Sequence, residues 1–520
     1  MIKDKFLRGA LILTVAGLVV KFIGAFNRIL LSRLLGGEGI GLYQMAYPVY
    51  LLMVSISSAG IPIAISIIVA EKVAKRDFAG ASRIFRVSLG FMAIMGTLFA
   101  LLLYGLANFL IAHDYIRDAR AYYALIALTP AVFFATILAS FRGFFQGHQM
   151  MTPPAISQII EQFVRVVTMV ALAYLLLPRG LEYAAAGAAF GALPGALTGL
   201  LVLTYFYWKN RQRWQAFEPT GVVAKQEKVS EIALRLVKLA LPVSCANIML
   251  PVVTGIDMLL VPGRLEVAGY MTEQATTQFG YFAGMGLPLV MLATIPTLSL
   301  AASIVPAVSE AFALHEYENI KKKAQTALQL CLLLTLPAMA GLLVLAEPVS
   351  LALYGTRYAA LSIAHLAPAI CLLGLHQVTT GILQGVGRPM IPMFNMLISI
   401  FFKIVLVWFL TADPEYGIIG AAWGTNINFG IAALLNMFFL NKYFYIALPL
   451  KQVIKLTGAA LVTALTAYFA YEELRIFGAS NLLSTLLAIA SGACSYLIVL
   501  VISGEVDREK IKQIIKRSKK

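Results

Sequence analysis

Long apolar runs separated by short polar stretches dominate the chain. Fourteen can be traced, near 9–32, 42–69, 87–112, 121–141, 154–177, 184–207, 236–260, 278–308, 324–346, 359–383, 391–411, 417–440, 456–472 and 481–503. Most reach the roughly 20 residues that a helix needs to cross the hydrocarbon core of a bilayer. The pattern predicts an all-α polytopic membrane protein with 14 transmembrane helices. An even number of crossings puts both termini on one side.

The runs form two matching sets. GFFQGHQMMTPP at 143–154 matches GILQGVGRPMIP at 381–392, an offset of 238. This aligns Gly143 with Gly381, Gln146 with Gln384, Gly147 with Gly385 and Pro154 with Pro392, and further on Arg165 with Lys403. GAAFG at 187–191 meets GAAWG at 420–424 at an offset of 233, and SIIVA at 66–70 meets SIVPA at 303–307 at 237. Near-constant offsets over three regions mark an internal duplication. The repeated unit is six helices, and an even unit repeats in parallel, about an axis along the membrane normal. The expected organisation is an N-terminal lobe at 1–208, a cytoplasmic linker at 209–235, a C-terminal lobe at 236–441, two extra helices within 442–503 and a basic cytoplasmic tail at 504–520. Two lobes around one site suit alternating access, which favours a transporter over a receptor, a channel or a membrane-embedded enzyme.

Charge refines this picture. Only 13% of residues are charged, against about 25% in a soluble domain. The net charge is +16, a balance that could serve nucleic acid. Its distribution points elsewhere. With the N-terminus inside, and Lys238 at the edge of its run counted with the adjoining loop, the cytoplasmic stretches hold 30 of the 41 basic residues and the opposite loops hold seven. That is the bias that orients membrane proteins, so no nucleic-acid partner is needed. Lys3, Lys5 and Arg8 precede an apolar run as in a signal peptide, but no small-residue cleavage site follows, so a retained first helix is expected. The tail EVDREKIKQIIKRSKK reads as an amphipathic basic helix, either touching anionic lipid or simply anchoring topology. Cys245, Cys331, Cys371 and Cys494 show no metal-ligand spacing and read as small buried hydrophobes.

Away from the first and last few residues of each run, six Asp, Glu, Lys or Arg side chains fall inside the apolar runs: Lys21, Arg28, Glu161, Arg165, Asp257 and Lys403. Each costs about 2.5–3.5 kcal/mol at the bilayer centre on insertion scales, so each should face a cavity or a partner. Lys21 and Arg28 lie two turns apart on one face of the first helix. Glu161 and Arg165, four apart, can pair directly. Either that pair is structural or, with the amide of Gln158 nearby, it gates or touches substrate. The intramembrane balance of the N-terminal lobe is positive, which suits an anionic substrate such as a pyrophosphate. Asp257 stands alone in its helix, and a lone buried carboxylate protonates or finds a cation. Asn395, Ser399, Thr425 and Asn426 are oxygen donors of the kind hard cations prefer, so Na+ or H+ is the candidate coupling ion and no other cofactor is expected. Gly60 with Pro62, and Pro288, Pro296 and Pro306, are expected to bend helices 2 and 8. No HExxH, GxSxG or P-loop appears, so an enzyme is not expected and energy must come from an ion gradient, the membrane potential or substrate flux.

Taken together, the stretch RGFFQGHQMMTPPAISQIIEQFVRVV at 142–167, ATTQFGYFAGMGLPLVML at 275–292, SIVPAVSEAF at 303–312 and GLYQMAYPVYLL followed by GIPIAIS resemble the polysaccharide-biosynthesis branch of the multidrug/oligosaccharidyl-lipid/polysaccharide exporter superfamily. This is the branch of stage V sporulation protein B and the lipid II flippases. The resemblance implies a bacterial plasma-membrane flippase, monomeric, that moves a lipid-linked oligosaccharide built on undecaprenyl pyrophosphate, lipid II or a related polysaccharide unit. The alternative within the same fold is an ion-coupled multidrug antiporter. The resemblance also implies a cavity-lining basic residue at Lys21 in VKFIGAFNR, with the second basic position at Asn27 and Arg28 beside it. Arginines that such flippases carry in helices 2 and 8 are absent here. Asp257 resembles the acid of a sodium site whose second acid is replaced by Ser399.

Overall fold

The computed structural model describes residues 2–58, 60–216, 228–446 and 450–504. It is 89% helical with no strand among the described residues. Helix dominates because hydrocarbon offers the backbone no hydrogen-bond partner, so each N–H and C=O must be satisfied within its own segment. By contacts the chain divides into two compact units, Met1–Gly263 with Met271–Gly280, and Arg264–Tyr270 with Tyr281–Lys520. The first holds α1 (Ile2–Ser58), α2 (Ile61–Ala74), α3 (Phe78–Ala112), α4 (Ala121–Gly147), α5 (Thr152–Leu176), α6 (Leu181–Phe190), α7 (Ala192–Ala216), most of α8 (Val229–Val267) and α9 (Thr272–Phe279). The second holds α10 (Leu287–Ala293), α11 (Ile295–Ala313), α12 (Tyr317–Val344), α13 (Ala346–Tyr354), α14 (Ala360–Leu366), α15 (Pro368–Gly385), α16 (Met390–Leu410), α17 (Ile418–Phe444), α18 (Leu450–Ile476) and α19 (Asn481–Ile502).

Among the described residues, 12 helices are long and apolar enough to cross a membrane, or 13 if the pair α14–α15, bent by 40°, is one span. The expected count of 14 treats 9–32 and 42–69 as separate crossings. In the structure both runs fall within one apolar stretch, Ile12–Ala74, of 63 residues. Straight, that would be about 95 Å long, several times the hydrocarbon thickness. It breaks at Gly36, whose φ of 66° lies in the left-handed region open to glycine.

The prolines act differently from the expectation. Pro62, Pro288 and Pro296 stand in the first two positions of α2, α10 and α11. There the missing N–H is one that no helix could satisfy anyway. They restart helices rather than bend continuous ones. Only Pro306 of this group lies inside a helix. The second apolar run is therefore split between Ser58 and Ile61. The eighth is divided into α9, a π-helical turn at Gly280–Gly286, α10 and α11.

The duplicated motifs are packing devices. Gly143 and Gly147 are four apart on α4, and a Cβ on either would strike the Pro62 carbonyl or Val69 of α2 at 2.6–2.7 Å. Gly381 and Gly385 repeat this on α15 against the carbonyls of Ala301 and Val305 in α11, at 2.7 and 2.9 Å. Glycines one turn apart let two backbones approach in a medium where apolar surface alone does not drive association. Around the first pair, Phe85 packs on Phe141 and Phe144 at 4.9 and 4.5 Å between ring centroids, within a core drawn from α2, α3, α4, α7 and α8.

RGFFQGHQMM is not wholly a polar turn, because α4 continues through Gly147 and Arg142 lies inside it. Cys331 and Cys371 are buried as expected, but Cys494 is exposed on α19. The Cys245 side chain, the 217–227 part of the linker and the tail beyond Gly504 lie outside the described residues.

Candidate functional site

The apolar face of α5 is interrupted by Glu161, and this carboxylate organises the polar interior of the first unit. Its Oε1 accepts from Arg165 Nη2 at 3.0 Å, one turn along the same helix. Its Oε2 accepts from Arg142 Nη2 of α4 at 2.5 Å. The carboxylate is 14% exposed and the two guanidinium groups 22% and 17%, so water screens the three only weakly. Tyr50 of α1 lies close to Arg165. Tyr43, Tyr47 and Tyr50 follow at helical spacing on α1, with ring centroids 5.2 and 5.9 Å apart in succession. Arg28 lies over Tyr43 and Tyr47 at 5.4 and 5.3 Å and donates from Nη1 to Gln44 Oε1 at 2.7 Å. Three guanidinium groups and one carboxylate thus gather around three phenols. Arg142 and Arg165 each keep a buried Nε–H with no hydrogen-bond partner.

Of the residues named from sequence, Glu161, Arg165 and Arg28 join this one polar-aromatic system. Lys21 is exposed on α1, and Gln158 is half-buried one turn before Glu161. Asn27 is buried and donates to Met169 Sδ at 3.4 Å, so it belongs to the α1–α5 packing. Arg142 was missed because it stands one residue beyond the apolar run that ends at 141. The available signal was electrostatic: a carboxylate between two helices, in a chain this short of charge, calls for more than one cation. The tyrosines carried a helical-period signal, i, i+4 and i+7, within GLYQMAYPVY.

Asp257 is buried on α8 in the first unit, at 2% exposure. The other candidate ion-coupling residues belong to the second. Asn395 Nδ2 on α16 donates to Asn436 Oδ1 on α17 at 2.8 Å, and Asn436 donates to Thr379 and Thr380 at 3.1 Å each. Ser399 Oγ lies 3.0 Å from Asn428 Oδ1, to which it donates. Asn426 Nδ2 donates to the His365 carbonyl at 2.8 Å, and Thr425 is buried beside it.

A further network, not anticipated from sequence, sits at the turn before α4. Asp118 is 3% exposed. It accepts from Arg120 Nε and Nη2 at 3.0 and 2.8 Å and from Thr276 Oγ1 of α9 at 2.9 Å. Arg120 also meets Glu38 of α1 at 2.7 Å. Asp118→Ala leaves the buried Thr276 hydroxyl without its acceptor and Arg120 with Glu38 alone. The expected loss is about 2 kcal/mol, read as a lower thermal unfolding midpoint of the purified protein in detergent. An unchanged midpoint would show that the network is dispensable.

The all-helical architecture is shared with a solved multidrug resistance MATE family transporter of the MOP superfamily, with a TM-score of 0.68 at 17% identity over 82% of this chain and 94% of that one. The fold matches a solved structure of lipid II flippase MurJ in an inward closed conformation. Its TM-score is 0.71 at 16% identity, over 95% of this chain and 98% of that one. In sequence the chain belongs to the polysaccharide biosynthesis protein family, which matches residues 6–312. A MatE match covers residues 242–409. Stage V sporulation protein B of Bacillus subtilis is 31% identical over 99% of this chain and 98% of its own. Lipid II flippase MurJ of the same organism is 28% identical over 88% of this chain and 87% of its own.

Proposed function

We propose that this protein is a flippase for a lipid-linked oligosaccharide precursor of the cell wall, carrying an undecaprenyl pyrophosphate such as lipid II or a related polysaccharide unit across the bacterial plasma membrane. It works as a monomer by alternating access, with both termini in the cytoplasm. Relatedness to a sporulation protein and to a lipid II flippase supports the substrate class. The observation that carries the reading is the charge of the first unit. Arg28, Arg142 and Arg165 outnumber Glu161, and two of them keep a buried Nε–H unused. The planar guanidinium fork can donate two parallel hydrogen bonds to a pair of phosphate oxygens, which a lysine ammonium cannot do. Lys21, exposed two turns before Arg28, adds a point charge on the same helix. A diphosphate entering here would take the free donors while the Glu161 carboxylate holds two of the guanidinium groups in place. The polyprenyl chain stays in the bilayer.

The exporter of cationic drugs that shares this fold needs the opposite sign of cavity. A protonated amine among three guanidinium groups is repelled. The test is growth support in cells depleted of their own flippase, together with outer-face accessibility of lipid II. Wild type should restore both. Lys21→Ala and Arg28→Ala should each abolish growth support at normal membrane levels, with accessible lipid II at the depletion background. Full growth with both variants would overturn the assignment of the first-unit site.

A further inference from the structure

In the first unit α1 and α5 run side by side and meet along a seam. A Cβ on Gly24 would lie 3.4 Å from Gln162 Nε2 there, and Asn27 donates to Met169 Sδ at 3.4 Å. At 3.6 residues per turn, Lys21 and Arg28 of α1, and Glu161 and Arg165 of α5, fall on one side of this seam. On the other side the two helices leave a groove of about 1030 Å³. Phe22, Phe26 and Arg33 line it from α1, and Phe163, Val167 and Tyr174 from α5. All six are exposed, so the groove opens away from the polar site.

The groove is graded along its length. Arg33 stands just before the break at Gly36, and Tyr174 just before the end of α5 at Leu176. Phe22 lies near the middle of the apolar stretch between Ile12 and that break, and Phe163 near the middle of α5. A guanidinium and a phenol therefore stand where both helices leave the hydrocarbon, the level at which such side chains settle. Below them the lining is apolar. From Phe22 to Arg33 the helix rises about 17 Å, and one leaflet contributes about 15 Å of hydrocarbon. A groove of that depth, charged at the surface and apolar down to the midplane, has the outline of one lipid standing in one leaflet. Its charge selects the headgroup, because a guanidinium favours phosphate with no cation beside it. The groove between α3 and α4 is the contrast. It measures about 490 Å³, is lined by Leu101, Tyr104 and Phe133 among others, and has no charged residue in its wall to hold a headgroup.

We infer that the α1–α5 groove binds one anionic phospholipid, with its phosphate at Arg33 and one acyl chain laid along Phe26, Val167 and Phe163 toward Phe22. This lipid is a ligand of the scaffold and not cargo, so the inference stands or falls apart from the flippase reading. The test uses purified full-length protein in detergent, with phosphatidylglycerol, phosphatidylcholine or inorganic phosphate added. Thermal unfolding and native mass spectrometry read the binding. Phosphatidylglycerol should raise the wild-type midpoint saturably by a few degrees, as binding to the native state requires, and one molecule should stay bound through mass analysis. Phosphatidylcholine should bind about five-fold more weakly, and inorganic phosphate should have no effect. Arg33→Gln should bring the two lipids to equal affinity. Val167→Trp adds bulk at a half-exposed position inside the groove and should lose the response to both. Equal wild-type affinity for the two lipids overturns the inference, as does unchanged phosphatidylglycerol binding in either variant. So does a full shift with inorganic phosphate alone, which would mark a site for a free anion. Should one variant not fold, the other and the wild-type lipid comparison decide.

Discussion

Glu161→Ala should lower the stability of the purified protein by about 3–5 kcal/mol and abolish growth support in flippase-depleted cells. The magnitude follows from what remains behind. Arg142 and Arg165 both direct a guanidinium at this carboxylate, and neither is more than 22% exposed. Removing the shared anion leaves two like charges facing each other with little water to screen them. Glu161→Gln keeps an acceptor oxygen but no charge and should fall between wild type and Ala. The diagnostic variant is the double replacement Glu161→Ala with Arg142→Met. It removes one of the two stranded cations, so it should recover part of the stability lost in Glu161→Ala, a non-additivity expected of residues in one network. Thermal unfolding in detergent reads all three. A Glu161→Ala protein as stable as wild type would show that the guanidinium groups find other partners and that the carboxylate is not their organiser.

Gly41→Ala should destabilise, although the same change usually helps. In a helix interior, alanine is favoured over glycine by about 1 kcal/mol. Gly105, in α3, has nothing within 4 Å of the place an added methyl would occupy, so Gly105→Ala should be neutral or stabilising. At Gly41 the methyl would drive into the Thr276 carbonyl of α9, and at Gly280 it would drive into the Gly37 carbonyl of α1. The clash is with backbone, which cannot rotate away as a side chain can. Overpacking of this kind costs about 1–3 kcal/mol, enough to reverse the sign. Displacing α9 also separates Thr276 from Asp118, so Gly41→Ala and Asp118→Ala should be less than additive. Equal midpoints for Gly41→Ala and Gly105→Ala would refute this contact.

Much of the fold was legible in the chain because its signal is local and one-dimensional. Apolar run length shows where helices can cross, and a repeated offset shows that the two halves are copies. The repeated glycines could be matched, but their purpose could not. Gly143 and Gly147 look like part of a turn until α2 is seen against them. The prolines misled for a related reason. Pro62, Pro288 and Pro296 mark a break in helical hydrogen bonding, yet sequence does not distinguish a bend from a new start.

The candidate site divides in the same way. Arg28, Glu161 and Arg165 stood out by themselves because an ionisable residue in an apolar run is costly and therefore conspicuous. The i,i+4 pairing of Glu161 with Arg165 needs only the helix pitch to be foreseen. The partnership of Glu161 with Arg142, 19 residues away on another helix, depends on how α4 and α5 pack. So does the stacking of Arg28 on Tyr43 and Tyr47 depend on tertiary geometry, since α1 breaks at Gly36 between them. Sequence by itself determined that this is a duplicated helical membrane protein with buried charge, because hydrophobicity and periodicity are properties of neighbouring residues. Only the tertiary structure decided which charges answer one another, because Coulomb interactions in a low-dielectric interior depend on separations that chain position does not encode.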